Sequence, residues 1–163
     1  MEKRFIVLDT ETTGLEVEKG HRIIEIGGVV MNGRKKTSET FHAYINPQRE
    51  IDKEAQAVHG ISNEDLEDKP FFSDIAEDFL EFIDGSTLVI HNADFDIGFL
   101  DAELKIASST YPAISDICEI KDTLAIARNK FPGQRNSLDA LSKRFEISGY
   151  DRSYHGALPV SYT

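Results

Sequence analysis

The stretch RFIVLDTETTG, Arg4 to Gly14, decides how this chain is read. Four apolar or aromatic residues lead into two carboxylates, Asp9 and Glu11, spaced two apart. Side chains two apart on an extended segment point to the same side, so both acids are expected to converge at the carboxyl end of a first strand. Held that close they repel unless a cation or a shared proton lies between them, and a metal ion is the favoured answer. Thr12, Thr13 and Gly14 then turn the chain tightly enough for backbone to approach a ligand. The competing reading is a strand that runs into a polar turn, where acids and Gly are ordinary.

Working outward, Arg22 to Met31 (RIIEIGGVVM) is a second apolar run, and Asn32-Gly33 marks a hairpin that Thr37 to Ile45 closes with Phe41, Ala43 and Ile45 alternating. Asp52 to Asp68 reads as two short helical pieces around Val58-His59-Gly60-Ile61, with Ser62 as an N-cap. A helix is expected from Ser73 to Gly85, a strand over Thr87–Ile90, and a helix from Phe95 presenting Ile97, Leu100, Leu104 and Ala107 on one face. Ile114 to Ile117 is expected as a fifth strand, Asp122 to Lys130 as a helix, and Ser137 as the cap of another helix carrying Leu138, Leu141 and Phe145. Such an order predicts an α/β fold. Its mixed sheet of five strands, the first three an antiparallel meander, is flanked by helices.

At 163 residues the chain fits one domain able to bury about two thirds of its unfolded surface. Its net charge of −11 argues against non-specific, phosphate-driven DNA binding as the main activity. The single cysteine, Cys118, excludes an internal disulfide; it suits a reducing compartment and reads as a buried, inert thiol. No apolar run has the length of a signal-peptide core or a membrane span, so a cytoplasmic protein is expected. No internal repeat or linker divides the chain, and residues 1–163 are read as one domain.

A second informative stretch, His91-Asn92-Ala93-Asp94-Phe95-Asp96, follows the fourth strand and opens the next helix. Acids there serve the helix dipole. Sites in α/β sheets also gather at strand carboxyl ends, so one of Asp94 and Asp96 is expected to face the Asp9/Glu11 cluster. The third stretch is Tyr154-His155-Gly156-Ala157-Leu158.

DTETTG, HNADFDIGFL and YHGAL, in this order, resemble the three motifs of the DEDDh 3′-to-5′ exonucleases, which have a ribonuclease H-like fold. The likeness extends through HRIIEIGGV, VHGI and FPGQRNSLDAL and is strongest to the replicative proofreading branch. The resemblance implies a metal-dependent exodeoxyribonuclease that removes mononucleotides from DNA 3′ ends during replication. Asp9, Glu11 and Asp96 would be the metal ligands, with Asp9 bridging two divalent ions. His155 would be the general base, a role suited to a side chain titrating near neutral pH. Thr12, Thr13, Gly14 and Leu15 would border the terminal nucleotide on one side, His59 and Ile61 on the other, with Asn92 nearby. Hard oxygen ligands favour Mg²⁺ or Mn²⁺. The implied partners are a single-stranded or frayed DNA 3′ end, the catalytic subunit of DNA polymerase III and a small theta-type subunit; no membrane is implied.

One departure stands out. The resemblance places a further aspartate five residues after His155, and Val160 occupies that position. The chain ends Leu158-Pro159-Val160-Ser161-Tyr162-Thr163 without an acid, so the final helix is expected to be truncated or altered and the second metal site weakened. The polymerase-binding tail is likewise expected to be absent. Val160 favours one alternative, a catalytically impaired binding module of a polymerase complex; a second is a related RNA-trimming exonuclease, since the catalytic residues do not distinguish DNA from RNA.

Overall fold

A computed structural model describes residues 3–145; His155 and Val160 lie outside the described residues. Five strands form one sheet in the order β3-β2-β1-β4-β5. The strands β1 (Arg4–Thr12), β2 (Ile23–Asn32) and β3 (Lys35–Tyr44) pair antiparallel, whereas β4 (Thr87–Ile90) joins β1 in parallel and β5 (Glu119–Asp122) joins β4 in parallel. The opening meander and mixed sheet are those expected.

The hairpin turns one residue later than its Asn-Gly signal. Asn32 still pairs with Lys35, leaving Gly33-Arg34 as the two-residue loop, and Gly33 takes the positive φ of 59°. A glycine at the first central position suits a turn that matches strand twist.

Helices α1 (Lys53–His59) and α2 (Asn63–Leu66) match the two expected pieces, and Ser62 caps α2 through a reciprocal bond with Asp65. Helix α3 (Phe72–Ile83) starts one residue before Ser73, because Phe72 is drawn into the core and Asp74 accepts the Phe71 N–H at 2.9 Å. Helix α4 (Ala93–Ala107) starts two residues before Phe95. Its buried face carries Asp96, Phe99, Leu100, Glu103 and Leu104, while Ile97 and Ala107 are half-buried. Two acids therefore belong to the face expected to be apolar, and each is held there by hydrogen bonds.

Ile114–Ile117 is not a strand. It forms the short helix α5, whose Ile114 N–H donates to Asp101 at 2.9 Å. The fifth strand is the next segment, Glu-Ile-Lys-Asp, an edge strand that pairs on one side only and so tolerates exposed charge at Glu119 and Lys121. Helices α6 (Thr123–Lys130) and α7 (Leu138–Arg144) follow, capped by Asp122 and Ser137; Phe145 lies just past α7 and is exposed.

Alternate residues of β1 explain the layering. Ile6, Leu8 and Thr10 are buried, and the first two pack with Ile26, Val30 and Leu88 against Phe79, Ile83, Phe99 and Leu100 of α3 and α4. Cys118 lies in this core, where burial pushes its thiol up to about 11 and its Sγ–H donates to the Ile83 carbonyl. Phe79 is fully buried between the rings of Phe41 and Phe72, at centroid distances of 5.5 and 6.5 Å. Replacing Phe79 by Ala is expected to cost about 3–5 kcal/mol, measured as a lower urea midpoint with an unchanged slope.

Candidate active site

The strand β1 ends at a register irregularity. Glu11 pairs with Glu25 but Thr12 pairs with Ile23, so Ile24 is the extra residue on β2. Its side chain packs in a second small core with Ile51, Ile61 and Leu66 beneath α1 and α2. A bulge bends the strand that carries it and re-aims side chains at sheet ends. Here it seats α1 and α2 beside the carboxyl end of β1.

Just beyond the bulge, Arg22 makes a bidentate ion pair with Glu103 at 2.7 and 2.8 Å, and Glu103 also accepts the Ile23 N–H at 3.1 Å. Glu103 is 2% exposed. This clamp fixes α4 against β2, and α4 brings Asp96 to β1.

Of the two acids in the second motif, Asp96 is the one turned inward. It is 3% exposed, while Asp94 is exposed. Its Oδ1 accepts from the Thr10 N–H at 3.2 Å and from the Thr10 hydroxyl. Burial is the main cause that pushes its pKa up to about 7, against the opposing hydrogen bonds from Thr10. Asp9 is raised well above the usual carboxylate range, first by burial, then by the charges of Asp96 and Glu11, with Glu25 adding to them.

Asp9 is thus close enough to both Asp96 and Glu11 to feel their charges. Among the described residues, however, no three acidic, His or Cys side chains converge as a closed chelate. Hard oxygen donors of which Asp9 and Asp96 are raised above the ordinary carboxylate range fit a divalent cation.

Glu25 is another buried carboxylate in this region, 1% exposed, and His42 Nε2 lies 2.6 Å from its Oε2. An acid inside the apolar run RIIEIGGVVM was the signal for it.

A cavity of about 420 Å³ opens beside Glu11. Thr10, Thr12, Gly14 and Leu15 line one side, and Ala55, Val58, His59 and Phe95 another. Leu15 is 81% exposed at its edge. The Thr12 hydroxyl donates to the Gly14 carbonyl at 2.5 Å. His59 is buried; its Nδ1 accepts the Ile61 N–H at 3.0 Å and its Nε2 faces the Thr12 carbonyl at 3.3 Å. That geometry fixes a neutral ring, and burial lowers its pKa.

Thr13 is fully buried beneath the turn: it accepts the Arg22 N–H and bonds His21 Nδ1 at 2.9 Å, while His21 Nε2 lies 3.3 Å from Asp52. A Cβ on Gly14 would lie 2.3 Å from the His21 ring, so the turn needs glycine for close approach rather than for its φ. Ile61 lies in the second core and lines no part of this cavity. Asn92 takes a left-handed conformation at the start of α4, exposed, on the other side of Asp9. His21, Phe95 and Val58 went unread in the sequence. Phe95, between the two motif aspartates, was the most legible of them.

A mixed sheet whose first strand and fourth helix gather buried acids at one end defines a class, the nucleases of ribonuclease H-like fold. The sequence profile described as "RNase_T: Exonuclease" matches residues 6–159, and the chain belongs to this exonuclease family. Its relatives include DNA polymerase III subunit epsilon of Rickettsia prowazekii (strain Madrid E), 54% identical over 155 residues, covering 95% of this chain and 68% of that protein. The same subunit of Escherichia coli (strain K12) is 50% identical over 159 residues, covering 95% and 65%. The chain spans about two thirds of the length of these relatives.

Among solved structures, exonuclease X in complex with 5′ overhanging duplex DNA superposes with a TM-score of 0.74 at 29% identity, covering 97% of this chain and 84% of that one. The nuclease domain of 3′hExo, a DEDDh family member bound to rAMP, shares the fold with a TM-score of 0.78 at 18% identity, covering 99% and 87%. Dependence on divalent metal is general in this family. Among the described residues no helix is long and apolar enough to cross a membrane.

Proposed function

We propose that residues 1–163 act as a single exonuclease domain that removes mononucleotides from the 3′ end of single-stranded or frayed DNA, as the proofreading activity of a replicative polymerase. The observation that carries this reading is the junction at β1. Glu11 lines the 420 Å³ cavity, and the charges of Asp9 and Asp96 act on one another beside it. A terminal nucleotide seated between Leu15 and His59 then places its phosphate at the acids.

In this reading Asp9, Glu11 and Asp96 hold two divalent ions, Mg²⁺ or Mn²⁺ given their hard oxygen donors. When bound, such ions neutralise the phosphate, activate water and stabilise the leaving 3′-oxygen. The Thr10 hydroxyl and N–H, on β1, orient Asp96 of α4. Phe95 and Val58 give the cavity apolar wall for a base, and the neutral His59 ring closes it without drawing the phosphate away. His155 accepts the proton of the attacking water, whose oxygen displaces the 3′-oxygen of the preceding nucleotide. Polymerase III and a theta-type subunit are the partners this reading assigns.

Val160 favours a second reading, an exonuclease-fold module retained for binding with little turnover. One assay separates the two: a 5′-labelled oligonucleotide incubated with Mg²⁺ or Mn²⁺. Stepwise shortening from the 3′ end with release of mononucleotides is expected, and it should vanish in Asp9→Ala. Activity that survives Asp9→Ala would sink the site, and metal-independent binding without shortening would leave the module reading standing.

A further inference from the structure

The two walls of the nucleotide cavity are joined by a side chain that the proposed chemistry does not use. His21, from the loop between β1 and β2, is 8% exposed and lines the cavity together with Asp52. Its ring lies directly against the turn at Gly14, where an added Cβ would collide with it. Leu15 continues that turn as one edge of the cavity. Asp52 immediately precedes α1, whose Ala55, Val58 and His59 form the opposite wall.

Every polar atom of Thr13 is committed beside this ring. Its N–H donates to the Arg22 carbonyl at 2.8 Å and its carbonyl accepts the Asp52 N–H at 2.9 Å. Its hydroxyl accepts the Arg22 N–H at 3.0 Å and bonds His21 Nδ1 at 2.9 Å. A carboxylate only accepts, so His21 Nε2, 3.3 Å from Asp52 Oδ2, carries a proton. The neutral ring then accepts the Thr13 O–H at Nδ1. Asp52 stands at the N-cap of α1, where an acid ordinarily accepts an N–H of the first helical turn. Its side chain makes no such bond and faces His21 instead. Forgoing the cap leaves the carboxylate to join the turn to the helix.

Resting on the exonuclease reading above, we infer that His21 and Asp52 form a clasp that sets the gap between the two walls of the nucleotide cavity, and that His21 is thereby a positioning residue for the terminal nucleotide. The edges whose separation it fixes are Leu15 and Val58, 81% and 55% exposed. A nucleotide held between them at the wrong spacing presents its phosphate to the acids out of line, and a displacement of about 1 Å can cost about 100-fold in rate. The clasp acts through the turn and the start of α1 rather than through Asp9, Glu11 or Asp96. Loosening it therefore weakens nucleotide binding and spares metal binding.

Paired titrations test this. The parent chain is compared with Asp52→Ala, Asp52→Asn and His21→Ala by calorimetry with dTMP in Mg²⁺ and by electron paramagnetic resonance with Mn²⁺ alone, each beside its urea midpoint. Asp52→Ala should weaken dTMP binding roughly two- to tenfold, the worth of one polar contact. His21→Ala, which also strips the Thr13 hydroxyl of its acceptor, should weaken it at least about tenfold. Asp52→Asn keeps an accepting oxygen and should stay within about twofold of the parent, and the Mn²⁺ affinity of every variant should do the same. Nitrogen-correlated NMR of the imidazoles should place the His21 proton on Nε2 in the parent and in Asp52→Asn. Asp52→Ala binding dTMP as the parent does overturns the inference even where His21→Ala fails to fold. Asp52→Asn as weak as Asp52→Ala also overturns it, because charge at the start of α1 would then be the cause. So do Mn²⁺ affinity falling in step with dTMP affinity, a lower urea midpoint with dTMP affinity intact, and a parent ring protonated at Nδ1 alone. A parent that binds Mn²⁺ but no dTMP strikes the nucleotide cavity itself, and the clasp falls with it.

Discussion

Asp96→Asn is expected to make the metal-free protein more stable while removing its activity. The amide keeps the oxygen that accepts from the Thr10 N–H and hydroxyl and discards a charge that burial disfavours. The pH dependence follows from the sign of the shift. A carboxyl whose folded pKa lies above its unfolded value binds more protons when folded, so its contribution is fully present below about pH 4 and is lost as pH rises through about 7. A shift from the ordinary 3.8 to about 7 is worth on the order of 4 kcal/mol, a large share of a typical 5–15 kcal/mol total. Asp9, raised in the same direction by burial and by Asp96 and Glu11, adds to the slope. Urea unfolding in EDTA should therefore show the parent losing stability between about pH 4 and pH 7, with a flatter curve in Asp96→Asn. Mg²⁺ should stabilise the parent at pH 7.5 and leave the variant largely unmoved. Mononucleotide release should fall roughly a thousandfold or more, given what bound metal supplies to the reaction. A variant less stable than its parent at pH 7.5 in EDTA would show that Asp96 is held as a structural anion rather than as a strained ligand.

That expectation also shows what could be read before the fold was seen. Asp9 and Glu11 were legible because strand periodicity is local and an acid at a strand end is chemically loud. The hairpin and the Ser62 and Ser137 caps rest on local signals too, and they appeared where they were read, the hairpin turn one residue on. The bulge was not legible: Ile24 is one more apolar residue in IIEIGG, and only its burial with Ile51, Ile61 and Leu66 separates it from its neighbours. Edge strand β5 was misplaced for a related reason. Ile114–Ile117 has the more strand-like composition, but its first N–H is taken by Asp101, while pairing to β4 falls to the charged segment beside it. On the inward face of α4 Asp96 was expected opposite the β1 acids, whereas Glu103 was missed because it is buried through Arg22 and the Ile23 N–H, contacts distant in sequence. Thr13, His21 and Asp52 form a chain of bonds across three segments, and no spacing rule connects them.

Val160→Asp carries the opposite expectation to Asp96→Asn, a gain. The resemblance of the Tyr154–Leu158 stretch implies an acid five residues after His155, and the proposed donor set on β1 and α4 is Asp9, Glu11 and Asp96. In that reading Val160 leaves the ligand set short by one carboxylate; losses even among groups that merely orient ligands cost about 10- to 100-fold. Restoring the acid is therefore expected to raise metal-dependent release of mononucleotides at least about tenfold, read on a 5′-labelled oligonucleotide at equal concentrations of folded protein. The same substitution should lower the Mg²⁺ or Mn²⁺ concentration that gives half-maximal activity, an effect that mere stabilisation of the fold would not produce. Val160→Asn, similar in shape but neutral, should give little of the gain, and Asp9→Ala in the Val160→Asp background should erase it. If the acid changes neither turnover nor metal requirement in a protein that folds as the parent does, the assignment of position 160 to the metal site falls. The set Asp9, Glu11 and Asp96 is then the working one, and Asp96, held by Thr10, is the ligand whose replacement should decide metal binding.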